Sequence, residues 1–270
     1  MNLLEAVILG VVQGLTEFLP ISSSGHLVLS EFLLKVKFDD ISFEVFLHFG
    51  TFLSVIIVFR RTIKSMLEAV WLKAKSIFTG EDVSYVEEGW RLFWLIFVGS
   101  IPAGIIGIFF EDYVEFCFSS VTLVALMLLF TGTVLFLTQF FVAARRKVTF
   151  SDAFVVGMAQ ALAILPGISR SGLTISAGIF KGVESSKAAE FSFLLSLPAI
   201  LGASLIKLKD VLNQDTLSQD LSIYLTGAFT AFVVGYLAIK LLLSVIKKGK
   251  FQYFAYYCFA VGFLFLFFSR

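Results

Sequence analysis

The chain has 270 residues, of which 58% are hydrophobic and 15% charged, and a formal net charge of +1. Soluble domains carry about 45–50% apolar residues, glycine included, and about 25% charged ones. At a mean hydropathy of +0.94 a water-soluble globular enzyme and a disordered chain are excluded, and the near-neutral charge offers no general attraction for nucleic acid.

The start, Met1-Asn2-Leu3-Leu4-Glu5, has no basic residue ahead of its apolar stretch. No removable signal peptide is expected. The first apolar region, Leu3–Leu33, is interrupted by Pro20-Ile21-Ser22-Ser23-Ser24-Gly25-His26. Each flank is nearer half a span than the ~20 residues that cross a bilayer. The pattern predicts a helix that enters, breaks at depth and returns. Broken backbone at that depth needs protein or a wet cavity around it. Ile41–Phe59 is a full span, followed by Arg60, Arg61 and Lys64. Residues 65–90 predict an amphipathic helix on the membrane surface. Arg91–Phe110 is the second span, followed by the acidic Glu111, Asp112 and Glu115. Ser119–Ala143 is the third, followed by Arg145, Arg146 and Lys147. A second interrupted region, Ala153–Phe180, breaks at Pro166-Gly167-Ile168-Ser169-Arg170-Ser171-Gly172. Ser185–Ile206, Ile223–Ile246 and Phe251–Ser269 complete six spans, with Lys247, Lys248 and Lys250 after the fifth. Cys117 and Cys258 stand in different apolar segments, so neither a disulfide framework nor a zinc site is expected.

Basic loops stay on the cytoplasmic side. With them inside, the spans alternate only if both interrupted regions are re-entrant, and both termini then lie outside. The expected fold is an all-α integral membrane protein of six transmembrane helices plus two re-entrant hairpins, one polytopic domain over residues 1–270. It repeats internally. Gly10, Gln13 and Leu15 recur as Gly157, Gln160 and Leu162, and Ser22, Ser24 and Gly25 as Ser169, Ser171 and Gly172, always 147 residues later. Each half, about 1–143 and 152–269, reads as one hairpin and three spans. Three crossings invert the second copy, and an inverted repeat sets its binding site at the midplane, where the broken segments meet.

A new helix starts after each break, with free N–H groups and a partial positive charge. The serines there can cap the helix or donate to an anion. Arg170, costly in a bilayer and opposed to the helix dipole, makes sense beside a phosphate that its planar fork can grip. Pairing to Glu17 or Glu190 is the structural alternative. Glu17, alone in an apolar run, becomes useful beside Arg170, as a base, or with a divalent cation. Gln13, one turn earlier on the same face, adds a second oxygen for Mg²⁺ or Ca²⁺. His26, in the first turn of the returning half-helix, is a candidate acid, base or nucleophile. His48 is read as structural, and Glu44 and Glu190 as favourable with the dipole near helix starts.

The run Gln13-Gly14-Leu15-Thr16-Glu17 through Ser22-Ser23-Ser24-Gly25-His26 resembles the glutamate-rich signature of the bacterial undecaprenyl-pyrophosphate phosphatases of the bacitracin-resistance type. Pro166-Gly167-Ile168-Ser169-Arg170-Ser171-Gly172-Leu173-Thr174 resembles their second signature. The resemblance implies a plasma-membrane enzyme that removes the terminal phosphate of a C55 polyprenyl pyrophosphate left by cell-wall polymer assembly. It puts Glu17, Ser23, His26, Arg170 and Thr174 on functional positions. The first signature position is often Glu, and Gln13 here weakens the case for two-carboxylate metal binding.

These readings combine into phosphoryl transfer. Glu17, Ser23, His26 and Arg170 are the candidate catalytic residues, with Ser23 or His26 as nucleophile. Ser22, Ser24, Ser169, Ser171 and Thr174 are candidate substrate contacts, and Glu17 and Gln13 candidate ligands for Mg²⁺ or Ca²⁺. The expected partners are the polyprenyl pyrophosphate and the bilayer, with no nucleic acid, and a homodimer is left open. The site is expected to open to the outer side. A polyprenyl-phosphate flippase using the same anion site is the rival reading.

Overall fold

The structure, a computed structural model, describes residues 2–34, 41–110, 117, 120–141, 146–212 and 217–268. The acidic loop at Glu111, Asp112 and Glu115, and Arg145, lie outside them. The described residues form helices α1 Leu3–Phe18, α2 Ser23–Leu34, α3 Ile41–Val58, α4 Arg60–Thr79, α5 Glu87–Phe109, α6 Val121–Leu137, α7 Phe150–Leu162, α8 Arg170–Phe180, α9 Ser185–Leu212, α10 Leu217–Lys247 and α11 Phe254–Phe268. All six predicted spans are helical (α3, α5, α6, α9, α10, α11), with ends shifted by up to several residues. Each interrupted region is two short helices about a turn, α1/α2 and α7/α8.

By length and composition, four segments among the described residues can cross a membrane: Ser84–Phe109, Val121–Phe140, Leu221–Lys247 and Phe251–Phe268. A fifth counts if α3 and α4, bent by 82° at Phe59, form one span. The fourth predicted span, α9, is not among them. It carries Lys187 and Glu190 in its first turns, and Ala188, Ala189, Ser192, Phe193, Leu195 and Ser196 are buried. A helix packed inside protein does not need the apolar surface that lipid demands.

Local chemistry sets the hairpin starts. Asn2 and Glu5 form a capping box on α1: the Glu5 N–H donates to Asn2 Oδ1 at 2.9 Å, and the Asn2 N–H to Glu5 Oε2 at 2.9 Å. Thr149 and Asp152, 147 residues later, form the same box on α7. Arg146 secures the second box, with Nη1 2.5 Å from Asp152 Oδ2.

Glycines bring helices of the two halves together. α1 packs on α10 and α7 on α5. A Cβ at Gly10 would lie 2.7 Å from the Gly227 carbonyl oxygen, and one at Gly157 only 2.3 Å from that of Gly99. The α7–α5 crossing therefore exists only as Gly on Gly, the small-residue packing of membrane helices. Gly157→Val is expected to cost about 1–3 kcal/mol through overpacking, read as a lower melting temperature in detergent. An unchanged melting temperature would mean the two helices are not in this contact.

The main core gathers Phe18, Val55, Leu135, Ile175, Phe193 and Leu195 from both halves. Large apolar residues also cover the outside: Phe78 is 90% exposed, Phe229 67% and Phe263 63%. A water-facing surface of this kind would aggregate, whereas lipid tails solvate it. α4 is the predicted amphipathic helix, and it starts at Arg60. Its Ala69 is buried against α5 near Gly89, while Leu67, Trp71 and Phe78 stay exposed.

Candidate active site

The two breaks touch each other reciprocally. A Cβ at Gly25 would lie 3.2 Å from Gly167 Cα, and one at Gly172 would lie 3.3 Å from Pro20 Cβ. Ser171 Oγ donates to the Leu19 carbonyl at 3.3 Å. Thr131 of α6 pins the second break: its hydroxyl donates to the Gly167 carbonyl at 3.2 Å and accepts the Ser169 N–H at 3.1 Å. Gly167 turns at φ 88°, which suits glycine, but Ser22 holds φ 70° with a side chain. Non-glycine residues in this region concentrate at functional sites.

At this junction a buried carboxylate, Glu17, collects the predicted residues. Ser23 Oγ donates to Glu17 Oε2 at 2.7 Å, and Gln13 Nε2 donates to the same oxygen at 3.2 Å. Arg170 Nη2 donates to Glu17 Oε1 as an ion pair. Arg170 Nη1 is buried with no partner among the described residues, and so is Gln13 Oε1. Arg170 therefore pairs with Glu17 and not with Glu190. Glu190 instead accepts from Thr62 at 3.1 Å and from Lys187 at 3.0 Å.

The two histidines stand differently toward Glu17. His26 Nδ1 lies 2.8 Å from the Ser22 carbonyl oxygen, and Nε2 2.8 Å from the Tyr257 hydroxyl, on which the ring also stacks. Neither contact is with Ser23 or Arg170. His48, read from the sequence as structural, has Nε2 4.0 Å from Glu17 Oε2. Its Nδ1–H donates to the Glu44 carbonyl, with 2.9 Å between the atoms, so the other nitrogen is left facing the carboxylate. The only signal of this in the sequence is a lone imidazole in a largely apolar span.

The remaining predicted contacts hold the breaks in shape. Ser22 Oγ accepts the Gly25 N–H at 3.2 Å and lies 3.4 Å from Ser24 Oγ. Ser169 caps α8, accepting the Gly172 N–H at 3.1 Å, and lies 3.3 Å from Ser171 Oγ. Thr174 Oγ1 donates to the Arg170 carbonyl at 2.7 Å and shares a 2.6 Å hydrogen bond with Ser192.

Two helix starts, a guanidinium with a spare N–H and a serine bonded to a carboxylate suit a phosphorylated ligand and nucleophilic attack on it. Gln13 Oε1 and Glu17 also fit a hard cation, which needs few protein oxygens when substrate phosphates supply the rest. Among the described residues no group of three or more His, Cys, Asp or Glu side chains converges as a self-sufficient metal site.

The family model described as "Bacitracin resistance protein BacA" matches residues 6–264. The chain is 43% identical to the undecaprenyl-diphosphatase of Desulforapulum autotrophicum over 97% of this chain and 96% of that protein. It is 44% identical to that of Halothermothrix orenii over 97% and 96%. It is 42% identical to that of Methanobrevibacter smithii, again over 97% and 96%. The last is archaeal, so such proteins are not confined to bacteria. With the match running almost end to end and both broken signatures inside it, the chain belongs to the BacA family of bacitracin resistance proteins.

Proposed function

We infer that this protein is an undecaprenyl-diphosphatase, a multi-pass membrane hydrolase that converts undecaprenyl pyrophosphate to undecaprenyl phosphate and so returns the lipid carrier to cell-wall assembly. Relatives 42–44% identical over nearly the whole chain carry that name. The observation that carries the reading within the site is Glu17. One oxygen accepts the Ser23 hydroxyl at 2.7 Å and the other the Arg170 guanidinium, whose second nitrogen is unpartnered.

Ser23 is the nucleophile in this reading. Its oxygen attacks the terminal phosphorus, and its proton passes to Glu17. The bond to the bridging oxygen breaks, and undecaprenyl phosphate leaves. Water then cleaves the phosphoserine, releasing inorganic phosphate and restoring the hydroxyl. Arg170 keeps one nitrogen on Glu17 and turns the other to the non-bridging oxygens, where charge spreads in the transition state. The N-termini of α2 and α8 add partial positive charge. Ser22, Ser24, Ser169, Ser171 and Thr174 keep the two breaks in register and line the same junction. Glu17 and Gln13 would hold Mg²⁺ or Ca²⁺, which when bound neutralises pyrophosphate charge.

Purified protein in detergent should release phosphate from a polyprenyl pyrophosphate. Binding without release would favour a lipid transporter instead. In the same assay Gln13→Glu should lower the cation concentration for half-maximal activity, since a second carboxylate would join Glu17. An unchanged titration would remove Gln13 from the cation.

The topology we propose is six spans and two re-entrant hairpins in inverted halves, in one domain. The exchanged packing of α1 on α10 and α7 on α5 supports it, as do the matching capping boxes and the reciprocal Gly25–Gly167 and Gly172–Pro20 approaches. Loop charge puts both termini outside, and the site opens outward. In a background free of Cys117 and Cys258, a cysteine at Asp112 should react with an impermeant reagent in intact cells and one at Lys147 should not. The reverse pattern would invert this map.

A further inference from the structure

One cavity holds buried polar atoms with nothing to bond. It lies between α5, α7, α9 and the start of α8, is partly open, and has a volume of about 410 Å³. Gly104 and Gly107 of α5 and Gly202 of α9 line its wall, and a Cβ at any of them would meet no atom within 4 Å. These glycines are not small for the sake of helix contact, unlike Gly157. They leave space. The polar part of the lining includes Arg170 and Gln160. Gln160 is 3% exposed, yet among the described residues neither its Oε1 nor its Nε2 has a partner, and Arg170 Nη1 has none. A fold retains such unsatisfied groups at a cost in stability, so each calls for an explanation.

The internal repeat shows how Gln160 comes to be unpaired. Its counterpart Gln13 donates to Glu17, four residues on, at 3.2 Å. The residue four beyond Gln160 is Ile164, which has nothing to offer a carboxamide. The second copy keeps the glutamine and lacks the carboxylate, so the amide is left to the cavity.

We propose that this cavity seats the diphosphate and first isoprene units of the substrate, with Gln160 Nε2 and Arg170 Nη1 donating to diphosphate oxygens. This rests on the diphosphatase reading. Two N–H donors suit an acceptor-rich diphosphate, and Gln160 Oε1 is left for a water or a P–OH proton. A glycine- and alanine-lined wall with open space before it suits a branched hydrocarbon chain. A free phosphate would have no use for that wall.

The test compares wild type with Gln160→Leu, Gln160→Met and Gly104→Leu in detergent. The readouts are melting temperature, turnover of farnesyl diphosphate, its binding by thermal shift, and competition by inorganic pyrophosphate. Loss of a hydrogen bond to a charged group predicts that KM for farnesyl diphosphate rises about tenfold or more in both Gln160 variants, with kcat within about threefold. Gly104→Leu should melt like wild type, lose kcat/KM for farnesyl diphosphate and leave competition by inorganic pyrophosphate unchanged. Wild-type KM in well-folded Gln160 variants would overturn the seat, as would equal loss of both ligands in Gly104→Leu. If wild type binds farnesyl diphosphate in a Gln160-dependent way but releases no phosphate, the seat stands and the phosphatase reading falls.

Discussion

Ser23→Ala and Glu17→Gln should each lower kcat by about 10²–10⁴-fold, the range expected for a positioned acid–base partner. The double variant should be little worse than the poorer single. The reason is the 2.7 Å hydrogen bond between Ser23 Oγ and Glu17 Oε2, which makes the pair one functional unit. Glu17→Gln preserves shape and removes the proton acceptor. His26→Ala should cost less than either, because its ring engages the Ser22 carbonyl and Tyr257. Short incubations with labelled substrate would trap phosphate on Ser23 as an acid-stable ester. Acid-labile phosphate that persists in Ser23→Ala would move the nucleophile to His26, and additive losses in the double variant would separate Ser23 from Glu17.

Arg170→Ala should abolish phosphate release and also lower thermal stability. Removing the guanidinium leaves Glu17 as a buried carboxylate without its counter-ion, and breaking such a pair costs about 3–5 kcal/mol. The effect on stability follows from the ion pair with Glu17, which makes Arg170 more than a substrate ligand. Adding Glu17→Gln to Arg170→Ala should recover much of the stability and none of the activity. Arg170→Lys should keep more of the fold, since a positive charge remains near Glu17, but turn over poorly. An ammonium on one stem cannot hold a carboxylate and a phosphate with two planar nitrogens. Full activity in Arg170→Lys would remove the bridging role, and unchanged melting in Arg170→Ala would remove the structural one.

Much of this site is legible along the chain because its causes are local. Proline, glycine and serine stop a helix and start the next, so the breaks at Pro20–His26 and Pro166–Gly172 show in an otherwise apolar sequence. Glu17 and Gln13 share a helix face by their spacing, and Glu17 and Ser23 flank one turn. The 147-residue repeat follows from identities at matching positions. The paired capping boxes at Asn2–Glu5 and Thr149–Asp152 obey the same local rule. Partners that meet across the fold are a different matter. That Arg170 reaches Glu17, 153 residues away, and not Glu190 depends on how the two hairpins dock. That His48 faces Glu17 while His26 turns to Tyr257 depends on the rotation of α3 and α2 about their axes, which packing against other helices sets. That Ser192 and Ser196 of α9 are buried follows from the helices packed over the first half of that span, while Leu201 farther along stays exposed. Gln160 is unpaired because Ile164 stands where the first copy has Glu17 and because, among the described residues, no other helix brings it a partner. Local sequence governs where helices start, stop and turn polar faces, whereas the contacts made by those faces come from the tertiary arrangement of segments far apart in the chain.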